Sequence, residues 1–192
     1  MKYHQIIKGA LSAFLLVTLI GCSSAKTKIT NTVELNTSDA DMDQYTWIGD
    51  EIGDFRKVTM KEVLRLFDEQ GSGILFFGYP GCKWCERAVP VLNEAILEKG
   101  VTVYYADMKD TYDSSDMDIL KQDIYDALPV DADGNRDFYV PMVVGVKKGK
   151  VTGHHTSLVD GFVIQSDTDQ MNDAQKKELK NLYLDIIQRT AD

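Results

Sequence analysis

The sequence predicts a mixed α/β domain, in which one β-sheet is flanked by helices. The prediction rests on a strand–helix–strand unit over residues 74–105, a strand hairpin over residues 140–157 and an amphipathic helix over residues 173–189. The first unit favours parallel strands and the hairpin adds antiparallel ones, so together they indicate a mixed sheet. A chain of 192 residues is long enough for one domain with a substantial core.

The first half of the predicted domain alternates helices and strands. Thr59-Met60-Lys61-Glu62 has the form of a capping box, and the apolar stripe that follows at residues 63–67 predicts a helix. Residues 74–77 are all apolar, which is typical of a strand buried on both faces. A second helix is predicted from Cys82 to about residue 99, because a glycine then ends it. Residues 101–105 are the next predicted strand.

The second half begins with an inserted element at residues 111–137. Apolar residues at helical spacing predict a helix within it, and a turn-rich run closes it. Residues 140–146 and 151–157 are predicted strands joined by a Lys-Gly-Lys turn. The final helix, residues 173–189, has an apolar face that can cover the sheet.

The N-terminus has the layout of an export signal. A short basic region precedes the apolar run 10–20, which is too short for a transmembrane span of roughly 20 apolar residues. The segment then ends in Leu19-Ile20-Gly21-Cys22, which resembles a bacterial lipobox. The resemblance implies that residues 1–21 are a cleaved signal peptide and that Cys22 carries a diacylglycerol anchor.

Two interpretations of this segment both place the domain outside the cytoplasmic membrane. In one, lipid on Cys22 anchors the protein to the bacterial cell membrane; in the other, the apolar segment stays as an anchor and Cys22 is an ordinary thiol. Residues 22–46 are rich in Ser, Thr, Asn and Asp and show no sustained periodicity. They predict a flexible tether, with the folded domain over residues 47–192.

The charge of the chain argues against one class of partner. The net charge is −9, and without the two lysines of residues 1–21 it becomes −11, with 19 basic against 30 acidic side chains. Nucleic-acid binding needs clustered Lys and Arg, and the sequence has no such cluster. We therefore expect no nucleic-acid partner.

Cys82 and Cys85 enclose Lys83 and Trp84 at the predicted start of the second helix. Residues three apart on a helix are neighbours, and a small adjustment brings two sulfurs into disulfide geometry. Unpaired N–H groups at a helix start favour a thiolate at Cys82, and Lys83 adds positive charge. We expect the Cys82 thiolate to attack disulfides and Cys85 to resolve the mixed disulfide.

Half a metal site and a structural disulfide remain alternatives for this pair. Zinc would need two further ligands, and His154 and His155 are strand neighbours that point to opposite faces. We expect no metal and no cofactor. The run Asp131–Asp137 has some features of a calcium loop, but its glycine comes too early and no glutamate follows, which favours a plain turn.

Two landmarks together resemble the thioredoxin superfamily. The first is a strand, the Cys pair and a helix with Pro90 eight residues after Cys82; the second is Val140-Pro141 at the start of a strand. The resemblance covers about residues 57–190 and implies a thioredoxin-like sheet with a helical insert before the proline strand. It also implies that Pro141 is cis and packs beside the active-site sulfurs, as a third catalytic residue with Cys82 and Cys85.

The chain departs from thioredoxins near the cysteines. Thioredoxins carry a buried acid six residues before the first cysteine, where this chain has Phe76, so Cys85 lacks its usual partner for proton transfer. The pair between the cysteines is bulky, and Pro80-Gly81 replaces a Trp-bearing pair. Val140 resembles the residue before the proline in periplasmic disulfide oxidases, and the run Phe77–Cys85, with the lipobox, resembles thioredoxin-like bacteriocin-transport accessory proteins.

The expected function is dithiol–disulfide exchange by a membrane-anchored extracytoplasmic enzyme. Its partners would be protein or peptide thiols and disulfides, a redox partner and the membrane through Cys22, and we expect a monomer. Tyr79, Trp84 and Val140 are the predicted substrate contacts. The direction stays open, although Val140 and the missing acid favour oxidation. The alternatives are a non-catalytic accessory protein for secretion or bacteriocin transport, and a metal-handling module.

Overall fold

Six strands form one mixed sheet in the computed structural model, which describes residues 26–192. They are β1 (Ser38–Asp39), β2 (Phe55–Lys57), β3 (Gly73–Gly78), β4 (Val103–Asp107), β5 (Met142–Lys147) and β6 (Lys150–Thr156). The strand order is β1-β2-β4-β3-β5-β6. β2, β4 and β3 are parallel, whereas β1, β5 and β6 run antiparallel to their neighbours. The predicted mixed sheet is confirmed.

Four helices cover the two faces of the sheet. They are α1 (Met60–Asp68), α2 (Lys83–Lys99), α3 (Ser114–Asp123) and α4 (Asp173–Thr190), and a short 3-10 helix (Tyr125–Ala127) follows α3. The helices α2 and α4 pack on one face, and α1 and α3 pack on the other. Within residues 26–192, no helix combines the length and the apolar character that crossing a membrane requires.

The buried strand β3 divides the core into two clusters. Ile74 and Phe76 point toward α2 and α4, and Leu75 and Phe77 point toward α1 and α3, as the alternation of side chains along a strand requires. Every residue of β3 is buried, as the all-apolar sequence predicts. The strand ends at Gly78, and a short turn then connects it to the start of α2.

Helix ends follow the predicted signals, with one difference. The Thr59 side chain accepts a hydrogen bond from the Glu62 N–H, which is half of a capping box. The Glu62 carboxylate binds the backbone and side chain of Asn36 instead of closing the box. Gly100 ends α2 with a φ of 64°, a left-handed conformation that glycine adopts without a Cβ penalty.

The prediction of a flexible tether is wrong for residues 26–46. These residues lie against the domain, with Val33, Met42 and Tyr45 buried, and β1 pairs with β2. Isolated apolar side chains at irregular spacing anchor the segment, so no periodic pattern in the sequence predicted that it is folded. The folded unit therefore starts before residue 47. The predicted signal peptide, residues 1–21, and Cys22 lie outside the described residues.

Candidate active site

A tight turn places Cys82 directly before the first residue of α2. The Cys82 N–H donates to the carbonyl of Tyr79, and Gly81 in this turn has a φ of 82°, which favours glycine. Cys82 is the N-cap residue, and its Sγ accepts a hydrogen bond from the backbone N–H of Cys85 at 3.3 Å. The sulfur therefore occupies the place that a capping hydroxyl takes in an ordinary helix. Both cysteines are free thiols.

The two thiols have opposite electrostatic environments. A hydrogen bond from the Cys85 thiol, followed by the backbone N–H groups of Cys85 and Trp84, lowers the pKa of Cys82 to about 7 against the opposing effects of burial and Glu86. The hydrogen bond to Cys82, burial and the charge of Cys82 raise the pKa of Cys85. Cys85 is fully buried, whereas Cys82 is 8% exposed. These environments favour a thiolate at Cys82 and a protonated thiol at Cys85.

Lys83 does not act as predicted. Its ammonium forms an ion pair with Asp167 at 2.7 Å, and both side chains are exposed. The positive charge is therefore turned toward the loop before α4, and the thiolate of Cys82 depends on hydrogen bonds instead.

Glu86 holds the turn that carries Cys82. One carboxylate oxygen accepts the Gly81 N–H at 2.9 Å, and the other accepts the Thr46 N–H at 2.7 Å. Glu86 is buried although it carries a charge, and these two charge-assisted bonds compensate for its burial. The sequence shows only an acidic residue in the first turn of α2, which gives no sign of this contact with the N-terminal segment.

Arg87 fixes the loop between β6 and α4 against the active-site helix. Its guanidinium, 3% exposed, donates to the carbonyls of Lys83, Ser166, Asp167 and Asp169. It also lies 4.6 Å from the centre of the Trp47 ring. A fork of five N–H donors suits this task. Ser166, Asp167 and Asp169 lie 79 to 82 residues away in the sequence, so no local pattern predicted these three contacts.

The peptide bond between Val140 and Pro141 is cis, as the resemblance implied. Pro141 is buried at the start of β5, and its carbonyl accepts the N–H of Ser157. Val140 touches both core clusters, which meet at this end of the sheet.

An apolar groove of about 420 Å³ lies beside this proline. It brings together two of the three predicted substrate contacts, Trp84 and Val140. Residues that the sequence did not single out complete its lining: Pro129, Tyr139, Thr156 and Ser157. Trp84 is 47% exposed and Tyr139 is 50% exposed, so both rings are available to a partner.

Tyr79, the third predicted contact, does not line the groove. The ammonium of Lys109 lies 5.0 Å from the centre of its ring and donates to the carbonyl of Pro80. The charge of Cys82 is the main cause of the raised pKa of Tyr79. Tyr79 is therefore a neighbour of the reactive sulfur on another side of the turn.

Hydroxyl groups, rather than a carboxylate, are buried in the core near Cys85. The Phe76 ring, at the position where the resemblance implied an acid, stacks on Tyr105 with 5.5 Å between centroids. The hydroxyl of Tyr105 lies 3.1 Å from that of Tyr45. Burial is the first cause of the raised pKa values of both tyrosines, and the charge of Cys85 contributes to each.

The Asp131–Asp137 run and the two adjacent histidines are the other candidate ligand sites. The Asp131 carboxylate accepts the N–H groups of Asp133 and Asn135, as in a turn. His154 and His155 are adjacent on β6, and His155 packs on the ring of Tyr183. Over residues 26–192, the structure places no three His, Cys, Asp or Glu side chains where they could hold a metal ion.

The similarity of this chain to known proteins is structural. Neither the protein-family models nor the curated proteins include a match to this chain. A thioredoxin from Aeropyrum pernix is 20% identical, with 52% of this chain and 73% of that chain covered and a TM-score of 0.35. Thioredoxin f from spinach chloroplast, in its short form, is 17% identical, with coverages of 57% and 86% and a TM-score of 0.35. The described domain has a thioredoxin-like fold by its own topology: a mixed sheet flanked by helices, the Cys pair at the start of α2 and a cis-proline before β5.

Proposed function

We propose that the protein is a thiol–disulfide oxidoreductase that acts on exported proteins or peptides outside the cytoplasmic membrane. The observation that carries the proposal is the unequal pair at the start of α2. Cys82 keeps 8% of its surface exposed and has a pKa lowered to about 7, and the fully buried Cys85 stays protonated beside it. Disulfide exchange needs this division between an attacking thiolate and a resolving thiol.

The exchange has two steps. The Cys82 thiolate attacks a substrate disulfide, which forms a Cys82–substrate bond and releases the other substrate sulfur as a thiolate. Cys85 then loses its proton and attacks the Cys82 sulfur, so that the Cys82–Cys85 disulfide forms and the second substrate sulfur leaves. The substrate gains two electrons and the cysteine pair loses two; the reverse sequence oxidises a substrate dithiol.

The groove beside Pro141 supports a peptide or protein substrate over a small thiol. Its lining is mostly apolar, and Trp84 follows Cys82 by two residues on the same exposed helix end. The exposed Trp84 ring, two residues from a reactive sulfur, suits an apolar peptide segment beside a substrate cysteine.

The location of this chemistry is part of the proposal. The lipobox-like sequence that ends at Cys22 supports export and lipid attachment to a bacterial membrane. The domain would then act on substrates in an extracytoplasmic space, where disulfides form and persist.

Single-cysteine variants test the proposal. Cys82→Ser should abolish exchange with a peptide disulfide, and Cys85→Ser should accumulate a Cys82–substrate mixed disulfide visible by mass spectrometry. Full exchange by Cys82→Ser would refute the proposal. A double variant that lacks both cysteines is the matched control, because it retains the groove and would reveal any binding that does not need sulfur.

The reduction potential of the pair determines the direction. Equilibration with defined thiol buffers should give a value near −120 mV for an oxidant and about −270 mV for a reductant. A pair that forms no disulfide in any buffer would contradict the redox function.

A further inference from the structure

The resolving step requires a group near Cys85 that can accept its proton. Cys85 is fully buried, and its pKa is raised by the hydrogen bond to Cys82 and by burial. It attacks only as a thiolate, so its proton must reach an acceptor at the moment of resolution. The side chain of Phe76, on the strand beneath α2, has no atom that can accept a proton.

Two buried hydroxyls lie in the same core cluster as Cys85. Tyr45 comes from the N-terminal segment and Tyr105 comes from β4, opposite Phe76 in the sheet register. The two oxygens are 3.1 Å apart, within hydrogen-bond distance, and each residue is at most 2% exposed. Tyr105 stacks on Phe76, with 5.5 Å between ring centroids. Burial is the first cause of the raised pKa of each tyrosine, and the charge of Cys85 is a smaller one.

The outer end of this pair meets a carboxylate. Asp107 follows Tyr105 by two positions on β4, so both side chains lie on the same face of the sheet. Asp107 is half-buried at the end of the strand, and its carboxylate is among the causes that raise the pKa of Tyr105. Its Oδ1 atom also accepts the N–H of Lys109 at 2.9 Å. Tyr45, Tyr105 and Asp107 therefore form a row of polar groups that extends from the buried core toward solvent.

We propose that Tyr45 and Tyr105 form a proton relay for Cys85, with Asp107 as its outer acceptor. This inference rests on the proposed redox function. As the Cys85 S–H bond breaks, a tyrosine oxygen takes the proton and passes its own to the next oxygen, and Asp107 receives the last proton. The electron pair left on Cys85 forms the bond to Cys82, and the substrate sulfur leaves with the electrons of the broken mixed disulfide. Each tyrosine gains one proton and gives up one, so both are chemically unchanged after the step.

Other titratable groups around the cysteines have different tasks. Both oxygens of Glu86 accept backbone N–H groups, and its charge acts on Cys82. Tyr79 responds first to Cys82 and lies at the surface turn. Tyr183, from α4, is buried near Cys85, and its pKa is raised by burial and then by the charge of Cys85. Tyr183 packs against the ring of His155 and supplies a matched control.

The test separates the two steps of exchange in the full-length protein in detergent. The reduced protein is mixed rapidly with a peptide disulfide, and formation and decay of the Cys82–peptide mixed disulfide are followed by acid quench and mass spectrometry between pH 6 and pH 10. For Tyr45→Phe and Tyr105→Phe we expect unchanged formation and a decay at least about tenfold slower at pH 7. The deficit should shrink as pH rises, because hydroxide then takes the proton directly. Tyr183→Phe should behave as the unmodified protein.

Asp107→Asn gives a second, surface-side variant that leaves the buried rings in place. It should slow the decay in the same pH-dependent way. The relay would be overturned if the mixed disulfide decayed in both Tyr45→Phe and Tyr105→Phe at the unmodified rate and with the unmodified pH profile. It would also be overturned if Tyr183→Phe slowed the decay as much as these two variants do. If the unmodified protein forms no mixed disulfide, the proposed redox function is wrong. If the relay variants form the mixed disulfide normally and it also decays at the unmodified rate, only the relay is wrong.

Discussion

The acidity of Cys82 should depend on the thiol of Cys85. The hydrogen bond from that thiol is the largest cause of the lowered pKa of Cys82, ahead of the backbone N–H groups of Cys85 and Trp84. Replacing Cys85 with alanine removes the thiol donor but keeps both backbone donors and the helix N-terminus. The pKa of Cys82 should therefore rise above 7, although it should not regain the full value of an ordinary thiol.

The size of the effect follows from the fraction of thiolate. With a pKa of about 7, about half of the Cys82 thiols are ionised at pH 7. An ordinary thiol with a pKa of about 8.5 would be only about 3% ionised. Cys85→Ala should therefore slow the alkylation of Cys82 at pH 7 by a factor between about 3 and 15. Above about pH 9.5 the two proteins should react at similar rates, because Cys82 is then ionised in both.

Alkylation by iodoacetamide across this pH range measures the effect directly. Cys85→Ser is the matched control, since its hydroxyl can still donate to Cys82, and its titration midpoint should lie below that of Cys85→Ala. An unchanged midpoint in Cys85→Ala would refute the reasoning. The acidity would then come from the end of α2 and its N–H groups alone.

Three further changes test other parts of the structure. Trp84→Ala should raise KM for a peptide disulfide with apolar flanks by about tenfold, worth ~1.4 kcal/mol, while alkylation of the active-site thiol stays unchanged; an unaltered KM would remove the groove from substrate binding. Arg87→Met should lower the free energy of unfolding in urea by about 2–4 kcal/mol, because several backbone carbonyls of the loop before α4 lose a buried charged donor; a loss below about 0.5 kcal/mol would contradict this. Gly145→Ala should cost about 1–3 kcal/mol, since the new Cβ would clash with Thr190 Oγ1, whereas Gly153→Ala, with its nearest atom at 3.4 Å, should cost less; equal losses would disprove the packing argument.

Local signals explain why much of the site could be predicted from the sequence. The positions of Cys82 and Cys85 follow from an N-cap and a three-residue spacing, which are properties of a few adjacent residues. Val140 and Pro141 lie at the start of a strand that neighbours β3, so the sheet brings them to the same end as the cysteines. Trp84 faces the groove because it lies in the first turn of the same helix.

Long-range contacts explain what the sequence did not predict. β1 and β2 are two and three residues long, which is too short for a recognisable period. The groove needs Pro129 from the inserted element and Tyr139 just after it, and the sequence gives no indication of which side of the insert meets Trp84. The side chain of Lys83 found a partner in Asp167, a residue 84 positions further on, and this contact overrode the expectation drawn from its immediate neighbours.

The N-terminal segment changes how the active site is understood. Three consecutive residues each contact a different part of it: the Tyr45 hydroxyl meets Tyr105, the Thr46 N–H binds Glu86, and the Trp47 ring lies over Arg87. Each contact spans at least 40 positions of sequence. A segment whose composition suggested a passive tether thus supports the turn, the helix and the buried hydroxyls around the cysteine pair. Changes in this segment should therefore affect the chemistry of Cys82 and Cys85 as well as the stability of the fold.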